Sequence, residues 1–124
     1  VLDIHHHWVR TGEYIQANDD RVKRVIDSWR GVRPTMHYSY SRDEWLAPAY
    51  PDGKMHEGIH DMQKLLDKGC KKQKLRAHSD MLPNPVVNEW ALTFLPELDI
   101  QVEAKNKNLA AEQLHDQALK LGLV

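Results

Sequence analysis

Apolar positions along this chain alternate between a helical and an extended spacing, and that alternation sets the first expectations. Val22, Val25, Ile26 and Trp29 recur at i, i+3, i+4 and i+7, the stripe of an amphipathic helix. Asp19 and Asp20 offer a capping carboxylate before it, and Gly31 a stop after it. A second helix carries Ile59, Met62, Leu65 and Leu66 and ends near Gly69. A third opens at Asn84-Pro85, a cap followed by proline at the first helical position, with Val87, Trp90, Ala91 and Phe94 as its stripe. A fourth runs from Asn108 through Ala110, Leu114, Ala118 and Leu121 to Gly122.

Short extended runs precede the helices: Val1 to His5, Arg33 to Ser39, Leu75 to His78 and Leu98 to Val102. Strand then helix, repeated, predicts an α/β fold with a parallel sheet and crossover helices. Leu2 and Ile4, Met36 and Tyr38, and Ile100 and Val102 give the strands an apolar side. The other side reads Asp3 and His5, Thr35 and His37, Arg76 and His78, Gln101 and Glu103. Strands buried between two helix layers are apolar on both faces. A polar face on every strand instead favours a TIM-type (βα) barrel with helices outside. About four βα units are expected, forming the second half of a (βα)8 barrel, with residues 1–124 in one domain. The opening Val1-Leu2-Asp3-Ile4 begins mid-pattern, and the chain is read as a fragment.

The longest irregular stretch, Tyr40 to Gly58, interleaves Tyr40, Trp45 and Tyr50 with Arg42 and Lys54. That pattern suits a grip on a nucleic-acid strand, and equally a surface loop pinned by its aromatics. Composition narrows the setting. Net charge is −1, which excludes a global positive field, so any contact with nucleic acid must come from local Lys and Arg patches. The single cysteine, Cys70, excludes an intrachain disulfide and makes a reducing cytoplasm the expected location. It sits in Lys68-Gly69-Cys70-Lys71-Lys72 without an assignable catalytic partner. No apolar run approaches the roughly 18 residues of a membrane span.

Barrel enzymes keep their sites at the C-terminal ends of the strands. Those ends supply Asp3 with His5-His6-His7, then His37, His78 and Glu103. Imidazole with carboxylate is a ligand set for Zn²⁺ or Mn²⁺, and several such ligands could hold two or three ions that clamp a phosphodiester. Singly, His37 and His78 also fit as satisfied polar residues, and Glu103 as a partner of Lys105. His56 and His60 stand at i, i+4 with no third ligand nearby and are expected to be solvated. Ser39 and Ser79 have no triad-like base, which argues against covalent catalysis.

Four motifs then carry a resemblance. Asp3-x-x-His6, Arg33-Pro34-x-x-His37-x-Ser39, His78-x-Asp80 and Val102-Glu103-Ala104-Lys105-x-Lys107 occur in the order found in the UV-damage DNA endonucleases, and together they cover most of the chain. Glu-Ala-Lys-x-Lys is the most specific of them and His-x-Asp the least. The resemblance implies a (βα)8 barrel related to apurinic endonucleases and, more distantly, to xylose-isomerase-like enzymes. It implies cutting of damaged double-stranded DNA 5′ to photoproducts by a cluster of divalent ions, usually Mn²⁺, with Zn²⁺ or Mg²⁺ as alternatives. Asp3, His6, His37, His78 and Glu103 would be the metal ligands. Glu103, His37 and Lys105 would act in catalysis, and Lys105, Lys107, Arg42 and Tyr40 would contact nucleic acid. Thr35 stands where some family members carry a lysine. Further family ligands come from the first half of the barrel, so this chain alone is expected to be inactive.

Two other readings remain open: a sugar isomerase or epimerase on the same scaffold, and a structural half-barrel without activity. The strip Arg42, Lys105 and Lys107 favours a polyanion over a small sugar, and retained metal would separate an enzyme from an inert half-barrel. Four units alone would expose two sheet edges, an arrangement that invites pairing with a second copy. Self-association predicts a light-scattering mass of two chains or more; a mass of one chain would exclude it.

Overall fold

Burial of alternate residues organises the centre of the molecule. The computed structural model describes residues 2–124. Three strands, β1 (Leu2–Asp3), β2 (Thr35–Tyr38) and β3 (Asp99–Val102), form a parallel sheet in the order β1-β2-β3. Leu2 lies beside Met36 and Asp3 beside His37, while Thr35 to Tyr38 pair in turn with Asp99 to Val102. The two-residue period sends Met36, Tyr38 and Val102 into the core and leaves Thr35, His37 and Gln101 on the other face.

Among the described residues there are seven α-helices: α1 (Ile4–Thr11), α2 (Asp20–Ser28), α3 (Asp43–Leu46), α4 (Met62–Asp67), α5 (Lys72–Leu75), α6 (Pro85–Leu92) and α7 (Lys107–Lys120). A 3₁₀ turn at Ala47–Ala49 follows α3. The caps that the sequence offers are used. Asp19 accepts from the Arg21 N–H to start α2, and Asn84 accepts from the Val86 and Val87 N–H groups to start α6, with Pro85 at its first position.

Two of the four expected strands need correction. The run from Val1 to His5 is extended only at Leu2–Asp3, Val1 lying outside the described residues. At Ile4 the chain turns into α1 because the Asp3 carboxylate caps it, Oδ1 accepting from the His6 N–H at 2.8 Å. Gly12, with φ of 79°, closes that helix in the left-handed region. The run Leu75 to His78 is not a strand either. Leu75 ends α5, and His78 forms only an isolated antiparallel bridge with Ser41. β2 and β3 bond directly to each other, which leaves no place for a strand between them. Where they splay past their C-terminal ends, Ser79 and Asp80 enter as a wedge. The Ser79 N–H donates to Tyr40 O at 2.8 Å, the Lys105 N–H to Ser79 O at 3.1 Å, and the Asn106 N–H to Asp80 O at 3.0 Å. The architecture is therefore mixed α/β around a three-stranded parallel sheet.

Buried polar groups tie the helices to this sheet. Tyr38, fully buried, donates through its hydroxyl to Asn88 Oδ1 at 2.7 Å, and Asn88 Nδ2 donates to Leu82 O. Arg33 holds the start of β3 through Asp99 Oδ1 and the carbonyls of Leu95 and Leu98. Asn84 has two duties: besides capping α6, its Nδ2 donates to Gly58 O at 2.8 Å and Tyr40 Oη at 3.1 Å. Losing the cap alone costs about 1 kcal/mol, and stranding buried acceptors adds about 1–3 kcal/mol. Asn84→Ala is therefore expected to lose about 2 kcal/mol or more in urea unfolding, with Asn84→Ser recovering the cap share. A loss below about 0.5 kcal/mol for Asn84→Ala, the range of ordinary surface changes, would refute the double role.

Candidate functional site

The polar face of the sheet gathers two carboxylates and an imidazole. Asp3 ends β1, His37 lies directly beside it in β2, and Glu103 follows β3 two residues after Gln101, the register partner of His37. One ligand atom from each of Asp3, His37 and Glu103 lies within 4.8 Å of the others. His37 Nδ1 is 2.5 Å from Glu103 Oε1, and both side chains are about one-third exposed. The approach is close without hydrogen-bond alignment, and Glu103 Oε1 is buried with no hydrogen-bond partner. The two ligand atoms thus converge without an aligned hydrogen bond between them, a geometry that a cation would complete. The set is oxygen and imidazole nitrogen without thiolate, and it suits Mn²⁺, Zn²⁺ or Mg²⁺. Backbone bonds hold it in place: the Glu103 N–H donates to Tyr38 O at 2.8 Å, and Asp3 is fixed by the capping bond of α1.

His6 and His78, expected among the ligands, lie outside this cluster. Each step along α1 turns the side chain by about 100°, so Ile4, His5, Trp8 and Val9 face inward while His6 is exposed. His6 lines a separate depression with Val9, Arg10, Lys72, Gln73 and Arg76. His78 is half-buried, its ring 6.4 Å from that of His5. His5 is buried between Ser39 Oγ (2.9 Å from Nδ1) and Ser41 Oγ (3.1 Å from Nε2). Because the Ser41 hydroxyl donates to Leu75 O, His5 carries its proton on Nε2 and accepts from Ser39 through Nδ1. Burial, then the neighbouring His78 and His6, lowers the His5 pKa to about 3.

The residues expected to meet nucleic acid divide in two. Lys105 and Lys107 are exposed, just past Glu103 at the start of α7. Arg42 is engaged internally, pairing with Glu44 and with Asp80 Oδ1 at 3.1 Å, and those bonds raise its pKa. Tyr40 is 3% exposed, and burial pushes its hydroxyl well above the ordinary value. Of the two readings of the long loop, the aromatics pin it: Tyr40 Oη and Tyr50 Oη each lie 2.6 Å from a nitrogen of His60, whose own N–H donates to Tyr14 Oη. The expectation that His56 and His60 are solvated is corrected. His60 is buried, and His56 pairs with Asp43 at 2.9 Å. No local pattern marks this, because the partners of His60 come from Tyr14, Tyr40 and Tyr50, far apart in sequence. Cys70 is also buried, and burial raises its thiol pKa.

The model of the family described as UV-endonuclease UvdE matches residues 1–122 of the chain. Neither the curated proteins nor the solved structures contain a significant match. No helix among the described residues is long and apolar enough to cross a membrane.

Burial, then His56, lowers the His60 pKa from 6.5 to about 4. The folded value lies below the unfolded one, so the stability from a neutral His60 is full above about pH 6.5 and is lost as pH falls through about 4. Stability measured by urea unfolding across pH 7 to 4 should therefore fall less steeply in His60→Gln than in the parent chain. An identical acid limb in both would exclude His60 as the group responsible.

Proposed function

The chain belongs to the UV-endonuclease UvdE family, and on that footing we propose that it carries part of the catalytic rim of a divalent-metal enzyme hydrolysing a DNA phosphodiester 5′ to an ultraviolet photoproduct. The observation that carries the metal-dependent reading is the convergence of Asp3, His37 and Glu103 within 4.8 Å, with a buried Glu103 oxygen lacking a hydrogen-bond partner. A divalent ion bound there, Mn²⁺ before Zn²⁺ or Mg²⁺, supplies Lewis acidity, which makes a water more acidic and neutralises charge on a phosphate.

The chain's own residues divide the remaining work. Asp3 and Glu103 bring the negative charge that holds a cation, and His37 brings a nitrogen donor between them. Glu103 and His37 also border the phosphate, so their spacing sets how the scissile group lies against the rim. Lys105, two residues beyond Glu103, offers an ammonium to that phosphate, with its backbone fixed to Ser79 O; Lys107 extends the charge. Attack comes from water rather than from a side chain. Ser39 is buried against His5, Ser41 donates to Leu75 O, and Ser79 to Met81 O. Cleavage then leaves a 3′-hydroxyl and a 5′-phosphate.

We read the sheet as consecutive strands of a (βα) barrel. Its strands are all parallel, follow sequence order and share a polar face, as barrel strands with a site at the mouth do. The outer edges of β1 and β3 are where further strands of such a barrel would pair.

Two measurements test the reading. Mn²⁺ titration followed by electron paramagnetic resonance should show an affinity that falls in Asp3→Asn, His37→Ala and Glu103→Gln by more than the roughly 10- to 100-fold typical of outer-shell changes. The full-length protein with Mn²⁺ should nick irradiated supercoiled plasmid only, and Glu103→Ala and chelation should each abolish nicking. Folded, Mn²⁺-loaded protein that leaves both plasmids intact would sink the nuclease reading.

A further inference from the structure

Residues 68–76 hold Lys68, Lys71, Lys72, Lys74 and Arg76, and no acidic residue occurs between Asp67 and Asp80. In a chain of net charge −1 this is a pronounced local excess of positive charge. All five side chains are exposed. Repulsion within such a run is ordinarily relieved by water and salt, and a charge run by itself is a solvated face. Three structural features take this one further.

The first is where it lies. Lys72 Nζ donates to Arg10 O at 2.8 Å, fastening α5 to the last turn of α1. Arg10 joins the run, and a depression of about 360 Å³ opens between the two elements, lined by His6, Val9, Arg10, Lys72, Gln73 and Arg76. The second is the lack of counter-charge. Arg21, Arg33 and Arg42 each pair with a carboxylate. Among the described residues, no such pair involves Arg10, Lys68, Lys71, Lys72, Lys74 or Arg76. The third is nearness along the chain to the candidate cluster. The His6 N–H, in the first turn of α1, is bonded to Asp3, so the depression begins one helical turn from a proposed ligand.

We propose that Arg10 and Arg76, which line this depression, together with Lys71 just before α5, form a seat for the phosphate backbone of duplex DNA, a surface separate from Lys105 and Lys107. The proposal rests on the endonuclease reading for its choice of partner. Cationic side chains on flexible stems hold backbone rather than read sequence. The seat therefore adds affinity equally to damaged and undamaged duplex and leaves damage recognition to other residues.

The test is fluorescence anisotropy of the chain with irradiated and untreated duplexes, in chelator, over a range of salt. Arg10→Ala/Lys71→Ala/Arg76→Ala leaves Lys72 and its bond to the Arg10 carbonyl in place. It should weaken binding to both duplexes by the same factor, at least about tenfold, and reduce the slope of log affinity against log salt by about 0.9 for each phosphate no longer neutralised. The charge-keeping variant Arg10→Lys/Lys71→Arg/Arg76→Lys should restore both quantities, which a folding defect in the alanine variant would not explain. An unchanged affinity and salt slope in the folded alanine variant overturns the seat. So does a weakening seen with single strands or acidic lipid vesicles but not with duplex. Parent protein that binds duplex through these residues yet never nicks irradiated plasmid would leave the seat standing and remove the nuclease reading.

Discussion

Two carboxylates and an imidazole held within 4.8 Å on a half-buried sheet face are electrostatically costly. Like charges held close together repel, the more strongly the less water lies between them. Among the described residues, no lysine or arginine pairs with Asp3 or Glu103. The polypeptide nevertheless keeps these groups together, and much of the architecture can be understood as what that requires. Asp3 is braced by the first turn of α1, whose N–H groups favour a negative charge. His37 and Glu103 are fixed relative to each other by the residue-by-residue pairing of β2 with β3.

That brace works because its foundations are buried. The opposite face of the same strands carries Met36, Tyr38 and Val102 into the core, and the Tyr38 hydroxyl is bonded to α6 through Asn88. Sliding a strand by one residue would move the core set to the polar face, so the packing fixes the register that aligns the cluster. The wedge of Ser79 and Asp80 carries the same order past the strand ends, holding the backbone of Lys105 and Asn106 next to the site.

Charge is distributed unevenly around this frame. Arg33 and Arg42 act as struts with carboxylate partners, whereas α5 and the end of α1 present cations that have none. A chain of net charge −1 thereby gathers one acidic cluster and one cationic flank, the layout that the proposed function calls for.

Much of this is legible in the chain itself. Asp19, Asn84-Pro85 and the stripe of α7 mark helices by local rules, and the polar alternation of β2 and β3 puts His37 and Glu103 on one face. Motif order alone carries the family resemblance. What fails is extending a strand's period beyond its end. Such an extension carries His6 past Asp3 into a segment that coils, and gives His78 a strand whose place β2 and β3 take by pairing with each other. Tyr40 reads as a loop residue and His60 as a solvated one, and both prove to be interior, held by groups up to 46 positions away. Periodicity and capping depend on neighbours within a few residues, so sequence by itself determines them. Which strand lies beside which, and hence which histidine reaches Asp3, is set by pairing and burial across the whole chain, and only the tertiary structure decides it.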